Sequence, residues 1–230
     1  TRALIQALEL ASSSSSSSLS SLSGSGSSSN SSSSSLSLSS SSSGLNSSSL
    51  SGSEIKIDCG HAGSTFRFLA AYFAGLAGKE MILTGSEQLQ QRPMAPLITA
   101  LQAMGADITY LAQEGFAPIR ISGKNLQASK PIEIESSKSS QYISALLLIG
   151  SQISGGLNLH LSQSRVSNAY IQMTIALLKQ AGVLVSDQQE NLIIAEQKIQ
   201  GHSFYIEPDW SSASYWYAIK ALGYSGKIFL

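Results

Sequence analysis

Very little in this chain suggests disulfide, metal or membrane chemistry. Cys59 is the only cysteine in 230 residues, which excludes an internal disulfide framework and fits a reducing compartment. A single thiol among apolar neighbours reads as buried and inert. His61, His160 and His202 lie far apart, with no cysteine or carboxylate at ligand spacing, which argues against a metal site. Neither sign of charge prevails. Lys+Arg and Asp+Glu number 14 each, so no global field points to nucleic acid or to a membrane surface. Apolar runs such as Ala145–Ile149 are far too short to cross a bilayer. Thr1 opens with no secretory or lipidation pattern, so a cytoplasmic location is expected. The length suits one large domain or two small ones.

What is present is a recurring junction. Ser139-Ser140-Gln141 precedes the apolar stretch Tyr142–Ile149, Gly63-Ser64-Thr65 precedes Phe66–Leu76, and Ser211-Ser212 precedes Ala213–Leu222. Each follows a β-like segment: Ile132–Glu135, Ile55–Asp58 and Phe204–Glu207 respectively. Hydroxyls at a helix start cap free backbone N–H groups, and those groups with the helix dipole also form an anion site. One junction is ordinary capping. Three at similar spacing point to a repeated architecture aimed at a phosphate or carboxylate.

Ser12–Ser53 holds only Ser, Leu, Gly and Asn, without a charge. At face value it is a disordered linker, unable to bury enough apolar surface to offset chain entropy. We read it instead as standing for residues of unassigned identity in ordered strands, with Leu36-Ser37-Leu38 and the spaced glycines marking strands and turns. It is expected to pack against Glu54–Asp58 and complete a repeat. No functional residue is taken from it.

From Glu54 onward short strands alternate with amphipathic helices. Met81–Thr84 and Leu157–Leu161 read as strands, and Pro96–Gly105 and Ile171–Gly182 as helices stopped by glycine. Gly105-Ala106-Asp107-Ile108 aligns with Gly182-Val183-Leu184-Val185, and Ser64-Thr65 with Ser139-Ser140. The offset is about 75–77 positions, beyond the usual solenoid periods. The unit is strand–helix–strand–helix–strand–strand. Thr1–Ala11 resembles the second helix of an earlier unit and Phe204–Leu230 the first half of a later one, so the chain reads as truncated at both ends. Phe66, Leu69, Ala70 and Phe73 form one apolar stripe, while Ala71, Ala74 and Ala77 keep the other side slim. Helices apolar or small all round are buried ones. The expected fold class is therefore α/β, with repeated β-α-β-α-β-β units, helices inside and sheets outside, inverting the usual layered arrangement.

Five segments, in order, resemble 3-phosphoshikimate 1-carboxyvinyltransferases (EPSP synthases). Asp58-Cys59-Gly60-His61-Ala62-Gly63-Ser64-Thr65-Phe66-Arg67 is similar to that family's Asn-Ala-Gly-Thr-x-x-Arg segment. Leu83-Thr84-Gly85-Ser86 with Gln91-Arg92-Pro93-Met94 resembles its Arg-Pro loop, and Ser139-Ser140-Gln141-Tyr142 its Ser-Ser-Gln motif. Ser167-Asn168-Ala169-Tyr170 resembles its Ser-x-Pro-Tyr, and Asp209-Trp210-Ser211-Ser212-Ala213-Ser214-Tyr215 its Asp-x-Ser-Ser-Ala-Ser-Tyr. The likeness covers Thr1–Ala11 and nearly all of Glu54–Leu230. It implies two domains of three repeats each with the active site between them. Residues 1–230 are then most of the shikimate-3-phosphate-binding domain, with 209–230 starting the crossover to the second. The implied parent is a cytoplasmic transferase, monomeric at full length, that needs no metal or organic cofactor. Its partners are small molecules, with neither nucleic acid nor membrane among them.

The resemblance also implies roles. Ser139, Ser140 and Ser167 donate to the phosphate of shikimate 3-phosphate, and Tyr170 adds a flat face and a hydroxyl. Gln141 bridges the two substrates. Arg92 offers a planar fork to phosphoenolpyruvate, and Gly63 lets the backbone approach where a Cβ would crowd it. Cradling two anions with neutral donors and a few fixed cations suits these residue types. Judged by neighbours alone, Arg92 is a surface cation at a helix start, Tyr170 a core residue, Arg67 a brace and Asp209 a turn former.

The chain departs from the family at His61, usually Asn, where the Gly63 site is expected to feel the change. Ala169 replaces the usual Pro, leaving the local backbone less fixed. The amino-terminal Lys-Ser-x-Ser-x-Arg segment is absent before Thr1, and the second-domain Asp, Lys and Arg groups of proton transfer lie beyond Leu230. No catalytic residue is therefore assigned, and the fragment alone is expected to be inactive. Two alternatives remain. One is the related UDP-N-acetylglucosamine enolpyruvyltransferase, which carries a loop cysteine near the Arg-Pro region and lacks both Ser motifs; Thr84–Pro96 has no cysteine. The other is a non-catalytic anion-binding repeat scaffold, which its ends inside repeats disfavour.

Overall fold

The computed structural model describes residues 55–135, 139–162, 167–188, 190–199, 203–205 and 210–229. The expectations for Thr1–Ala11 and Ser12–Ser53 lie outside the described residues.

Two copies of one topology account for residues 55–194. In the first, β1 (Ile55–Asp58) leads through α1 (Gly63–Ala74) to the parallel strand β2 (Glu80–Thr84). A short helix α2 (Glu87–Gln90) and α3 (Ala95–Ala103) follow, then the antiparallel pair β3 (Asp107–Tyr110) and β4 (Ile119–Ser122). The second copy runs β5 (Ile132–Ile134), α4 (Ser140–Ile149) with a 3-10 turn at Gly150–Gln152, β6 (Leu157–Leu161), α5 (Asn168–Gln180), β7 (Val185–Gln188) and β8 (Asn191–Ile194). The two sheets have matching strand orders, β1-β2-β4-β3 and β5-β6-β8-β7. α2 and the 3-10 turn are the elements beyond the expected unit among the described residues.

The glycine stops mark the same repeat at atomic detail. After α3, Gly105 takes φ 91° while Gly105 N–H and Ala106 N–H donate back to Gln102 and Leu101 carbonyls. After α5, Gly182 takes φ 81° while Gly182 and Val183 donate to Lys179 and Leu178. Only a residue without Cβ enters that left-handed geometry cheaply, so both helices end there.

The strands alternate buried and exposed positions, so each sheet turns one face to the core. α1 buries Phe66, Leu69, Ala70, Ala71, Phe73 and Ala74, and Leu148 is the one exposed residue of α4. α1 packs on α4, and α4 on α5. These inner helices join both repeats in one apolar core. Phe66 and Phe73 contribute about 1.5–3 kcal/mol each by burial alone. The helices-inside expectation holds for α1 and α4. α5 differs: it buries Ile171, Ile175 and Leu178 but exposes Tyr170, Met173 and Leu177.

The chain divides into two compact units, residues 1–199 and 200–230. In the second, α6 (Trp210–Ala221) ends at Gly223, φ 105°, and Lys220 Nζ donates to the Gly226 carbonyl at 2.9 Å. The strand expected at Phe204–Glu207 is not observed over its described part, Phe204 and Tyr205 lying outside any strand, and the remainder lies outside the described residues. α6 also starts before its serines, with Ser214 Oγ donating to the Ser211 carbonyl at 2.6 Å inside the helix.

Candidate functional site: an anion cradle at the inner helix starts

The starts of α1, α4 and α5 differ, although α1 and α4 were expected to be hydroxyl-capped. Only α4 is. Ser139 is its N-cap, with Oγ accepting from the Gln141 backbone N–H at 3.3 Å. α1 begins after Ala62, which has no side-chain oxygen, so no side chain caps its first turn. Uncapped N–H groups at a helix start, reinforced by the dipole, favour an anion. At α5 the N-cap Ser167 is left-handed, φ 54° and ψ 44°, and its hydroxyl makes no cap bond. A non-glycine residue in that region is strained, a recurring property of ligand sites.

These starts open on one cavity of 650 Å³. Its wall includes Ser139, Ser140 and Gln141 from α4, Ser167, Tyr170 and Thr174 from the start of α5, and Ser64 and Arg67 from α1. Five of the seven residues assigned from sequence thus share one concavity. Ser140 is buried, whereas Tyr170 is 62% exposed and not the core residue its apolar helix suggested. Thr174 Oγ1 donates to the Tyr170 carbonyl at 2.9 Å, leaving Ser144 Oγ as donor to Thr174 at 2.8 Å. That chain ties α4 to α5 beyond their first turns.

Gly63 and Arg92 do not line the cavity but adjoin it. A Cβ on Gly63 would lie 2.9 Å from Arg92 Nη1 and 3.0 Å from Arg67 Nη1. The glycine therefore makes room for two guanidinium groups at one point, a closer reason for its small size than approach to a ligand alone. Like charges so arranged repel, and an anion between them relieves the repulsion. Arg92 is exposed, following α2 in the loop to α3.

Arg67 is a cavity residue that sequence reasoning set aside. It is only 8% exposed and lines the cavity. Its Nη1 donates to Gln141 Oε1, and its guanidinium lies 5.0 Å from the Tyr142 ring centroid. Arg67 Nε has no hydrogen-bond partner among the described residues. A buried donor left unmet costs about 1–3 kcal/mol, which ligand sites tolerate because the ligand meets it.

The loop before α1 is tied to the loop after β2. His61 Nδ1 and Ser86 Oγ are 2.8 Å apart, and Ser86 N–H donates to the Gly60 carbonyl at 2.9 Å. His61 thus engages a neighbouring loop where the family usually has Asn. Cys59 is buried, and burial, reinforced by Asp58, pushes its thiol up to about 12. It is a packing residue. His160 Nδ1 lies 3.1 Å from Asn191 Oδ1 across the β6–β8 pair. Among the described residues no three His, Cys, Asp or Glu side chains cluster to hold a metal, and no helix is long and apolar enough to cross a membrane. A second cavity of 320 Å³ is lined by Tyr72, Gln152 and Glu196 among others, with no Lys or Arg. It lacks the chemistry to hold an anion.

Paired β-α-β-α-β-β units with inner helices converging on an anion cradle define an enolpyruvyltransferase-like domain. The family model described as EPSP synthase (3-phosphoshikimate 1-carboxyvinyltransferase) matches residues 32–229, and the chain belongs to that family. The 3-phosphoshikimate 1-carboxyvinyltransferase of Bacteroides fragilis is 44% identical over 172 residues, covering 74% of this chain and 41% of that protein. The namesake from Photobacterium profundum is 36% identical over 182 residues, 78% of this chain and 42% of that protein. In fold, the chain is similar to EPSP synthase from Acinetobacter baumannii, with TM-score 0.57 and 24% identity over 70% of this chain and 35% of that one. The chain spans about two fifths of the length of the curated relatives it matches.

Proposed function

We propose that the whole protein transfers the enolpyruvyl group of phosphoenolpyruvate to the 5-hydroxyl of shikimate 3-phosphate. The products are 5-enolpyruvylshikimate 3-phosphate and phosphate, a step toward chorismate and the aromatic amino acids. This chain supplies the wall that binds both anions. Ser139, Ser140 and Ser167 hold the phosphate of shikimate 3-phosphate, with Tyr170 against its ring. Arg92, beside Gly63, holds phosphoenolpyruvate, and Gln141 spans the two. The observation that carries this reading is the meeting of Arg67 and Arg92 at Gly63, beside the Ser139–Gln141 helix start.

The chemistry divides accordingly. The 5-hydroxyl oxygen bonds to C2 of phosphoenolpyruvate as C3 gains a proton and the hydroxyl loses one. The tetrahedral adduct then breaks its bond to phosphate, and C3 returns a proton to restore the methylene. Acid–base groups are needed at both steps. The assigned residues are serines, a glutamine, an arginine, a glycine and a tyrosine, none suited to exchange protons near neutral pH. Their contribution is to bring two anions together, orient them and stabilise the departing phosphate. Proton transfer belongs to the second domain, so the 230-residue chain alone binds shikimate 3-phosphate weakly and turns nothing over.

We assign the protein to the cytoplasm as a monomer without cofactor. The names of its relatives favour shikimate 3-phosphate over a UDP-sugar as acceptor. A coupled phosphate-release assay on the full-length protein tests the reading. Release dependent on shikimate 3-phosphate is expected. A folded protein that ignores this acceptor, or prefers UDP-N-acetylglucosamine, overturns it.

A further inference from the structure

We propose that Tyr142 is a positioning residue that holds the Arg92-Pro93 loop at a set distance from the Ser139–Gln141 helix start. The inference deepens the proposed function and rests on it for the identity of the anion that Arg92 binds. Tyr142 belongs to α4 and is 2% exposed, so it does not face the cavity. Its hydroxyl donates to the Pro93 carbonyl at 2.6 Å, a bond between residues 49 positions apart. Its ring lies beneath the Arg67 guanidinium, which itself donates to Gln141. One side chain therefore contacts the loop carrying Arg92 and the cation that grips Gln141.

The local geometry makes this contact consequential. Pro93 fixes its own φ and confines Arg92 to extended backbone, so pinning the Pro93 carbonyl fixes the backbone from which Arg92 projects. The loop has two other anchors: Arg92 N–H to the Leu89 carbonyl at 3.0 Å, and Met94 N–H to the Gly115 carbonyl at 2.8 Å. Both lie within the first repeat. The Tyr142 bond crosses to the second, where Ser139, Ser140 and Gln141 begin their helix. Without it, the two anion-binding groups ride on separate repeats.

Tyr142→Phe in the full-length protein isolates the hydroxyl, because the ring stays under Arg67 and the core stays filled. Amide hydrogen exchange at Arg92 and Met94 is expected to accelerate about fivefold, the equivalent of one ordinary hydrogen bond, with Ile143–Leu147 unchanged. In the phosphate-release assay, the KM for phosphoenolpyruvate is expected to rise about fivefold, with kcat and the KM for shikimate 3-phosphate within about twofold. Unchanged exchange at Arg92 and Met94 overturns the proposal. So does acceleration spread along α4, or a loss shared equally by both substrates. A wild-type protein that fails to use shikimate 3-phosphate would count against the proposed function only. The exchange measurement would still decide whether Tyr142 sets the loop.

Discussion

Arg67 and Gln141, 74 positions apart in the chain, are joined by a hydrogen bond from the Arg67 guanidinium to the Gln141 side-chain carbonyl. The bond links the first inner helix to the second at the end where both open on the cavity. It also fixes the Gln141 amide, since an oxygen that accepts from Arg67 leaves the NH₂ group to donate elsewhere.

That pairing sets the outcome of Gln141→Ala. The Arg67 guanidinium, already unmet at Nε, loses a further partner while remaining buried. A stability loss of about 1–3 kcal/mol is expected, together with weaker binding of both substrates. Denaturant titration and substrate titration of the full-length variant check the two effects. Arg67→Lys is expected to fail similarly, because a point ammonium cannot occupy the Tyr142 face and the Gln141 carbonyl as a planar fork does.

Gly63→Ala separates binding from folding. The new methyl meets the exposed Arg92 guanidinium, which swings away, and the buried Arg67 guanidinium, which has to shift slightly against Gln141 and Tyr142. A stability loss of about 1 kcal/mol is expected, with the KM for phosphoenolpyruvate raised about tenfold. A shikimate 3-phosphate affinity near wild type would show that the disturbance stays at the arginine corner.

Ser139 and Ser140 have distinguishable tasks. Ser139→Ala removes the only side-chain cap among the described starts of α1, α4 and α5, and should cost about 1 kcal/mol in addition to weaker shikimate 3-phosphate binding. Ser140→Ala removes no cap and should weaken binding with little change in melting temperature. Paired calorimetry and thermal melts resolve the two.

The Cys59 thiol predicts an alkaline signature. Burial first, and Asp58 second, raise it from an ordinary 9.0 to about 12. Between those values the unfolded chain gives up the thiol proton while the folded chain keeps it. The folded state then binds more protons, and stability falls as pH rises through that window. In Cys59→Ala this component of the decline is expected to vanish. Comparing denaturation midpoints of the two proteins from pH 8 to 11 measures it, and slow alkylation of native Cys59 at pH 8 follows from the same cause.

Much of the fold could be read from local pattern. The alternation in Ile55–Asp58 and Leu157–Leu161 marks both strands at their observed bounds, and Gly105 and Gly182 announce the repeat because their conformation is open to few other residues. α2 escaped notice because four residues are too few to display a helical period. The cap expectation failed at α1 for an informative reason: the same Ser and Gly that satisfy a helix start also suit one left open for an anion. Arg67 was the main omission. Its sequence context, beside Phe66 at the start of an apolar stripe, says nothing of Gln141 or Tyr142, which are brought to it only by the packing of α1 on α4. The His61–Ser86 contact was hidden likewise, by a chain separation of 25 positions.

A crystal structure of the full-length protein with shikimate 3-phosphate and phosphoenolpyruvate tests the central claim most directly. The account predicts the phosphate of shikimate 3-phosphate against the hydroxyls of Ser139, Ser140 and Ser167, with its ring beside Tyr170. It predicts phosphoenolpyruvate at Arg92 and Gly63, with the Gln141 amide between the two ligands. Either anion bound away from the starts of α1, α4 and α5 would contradict it.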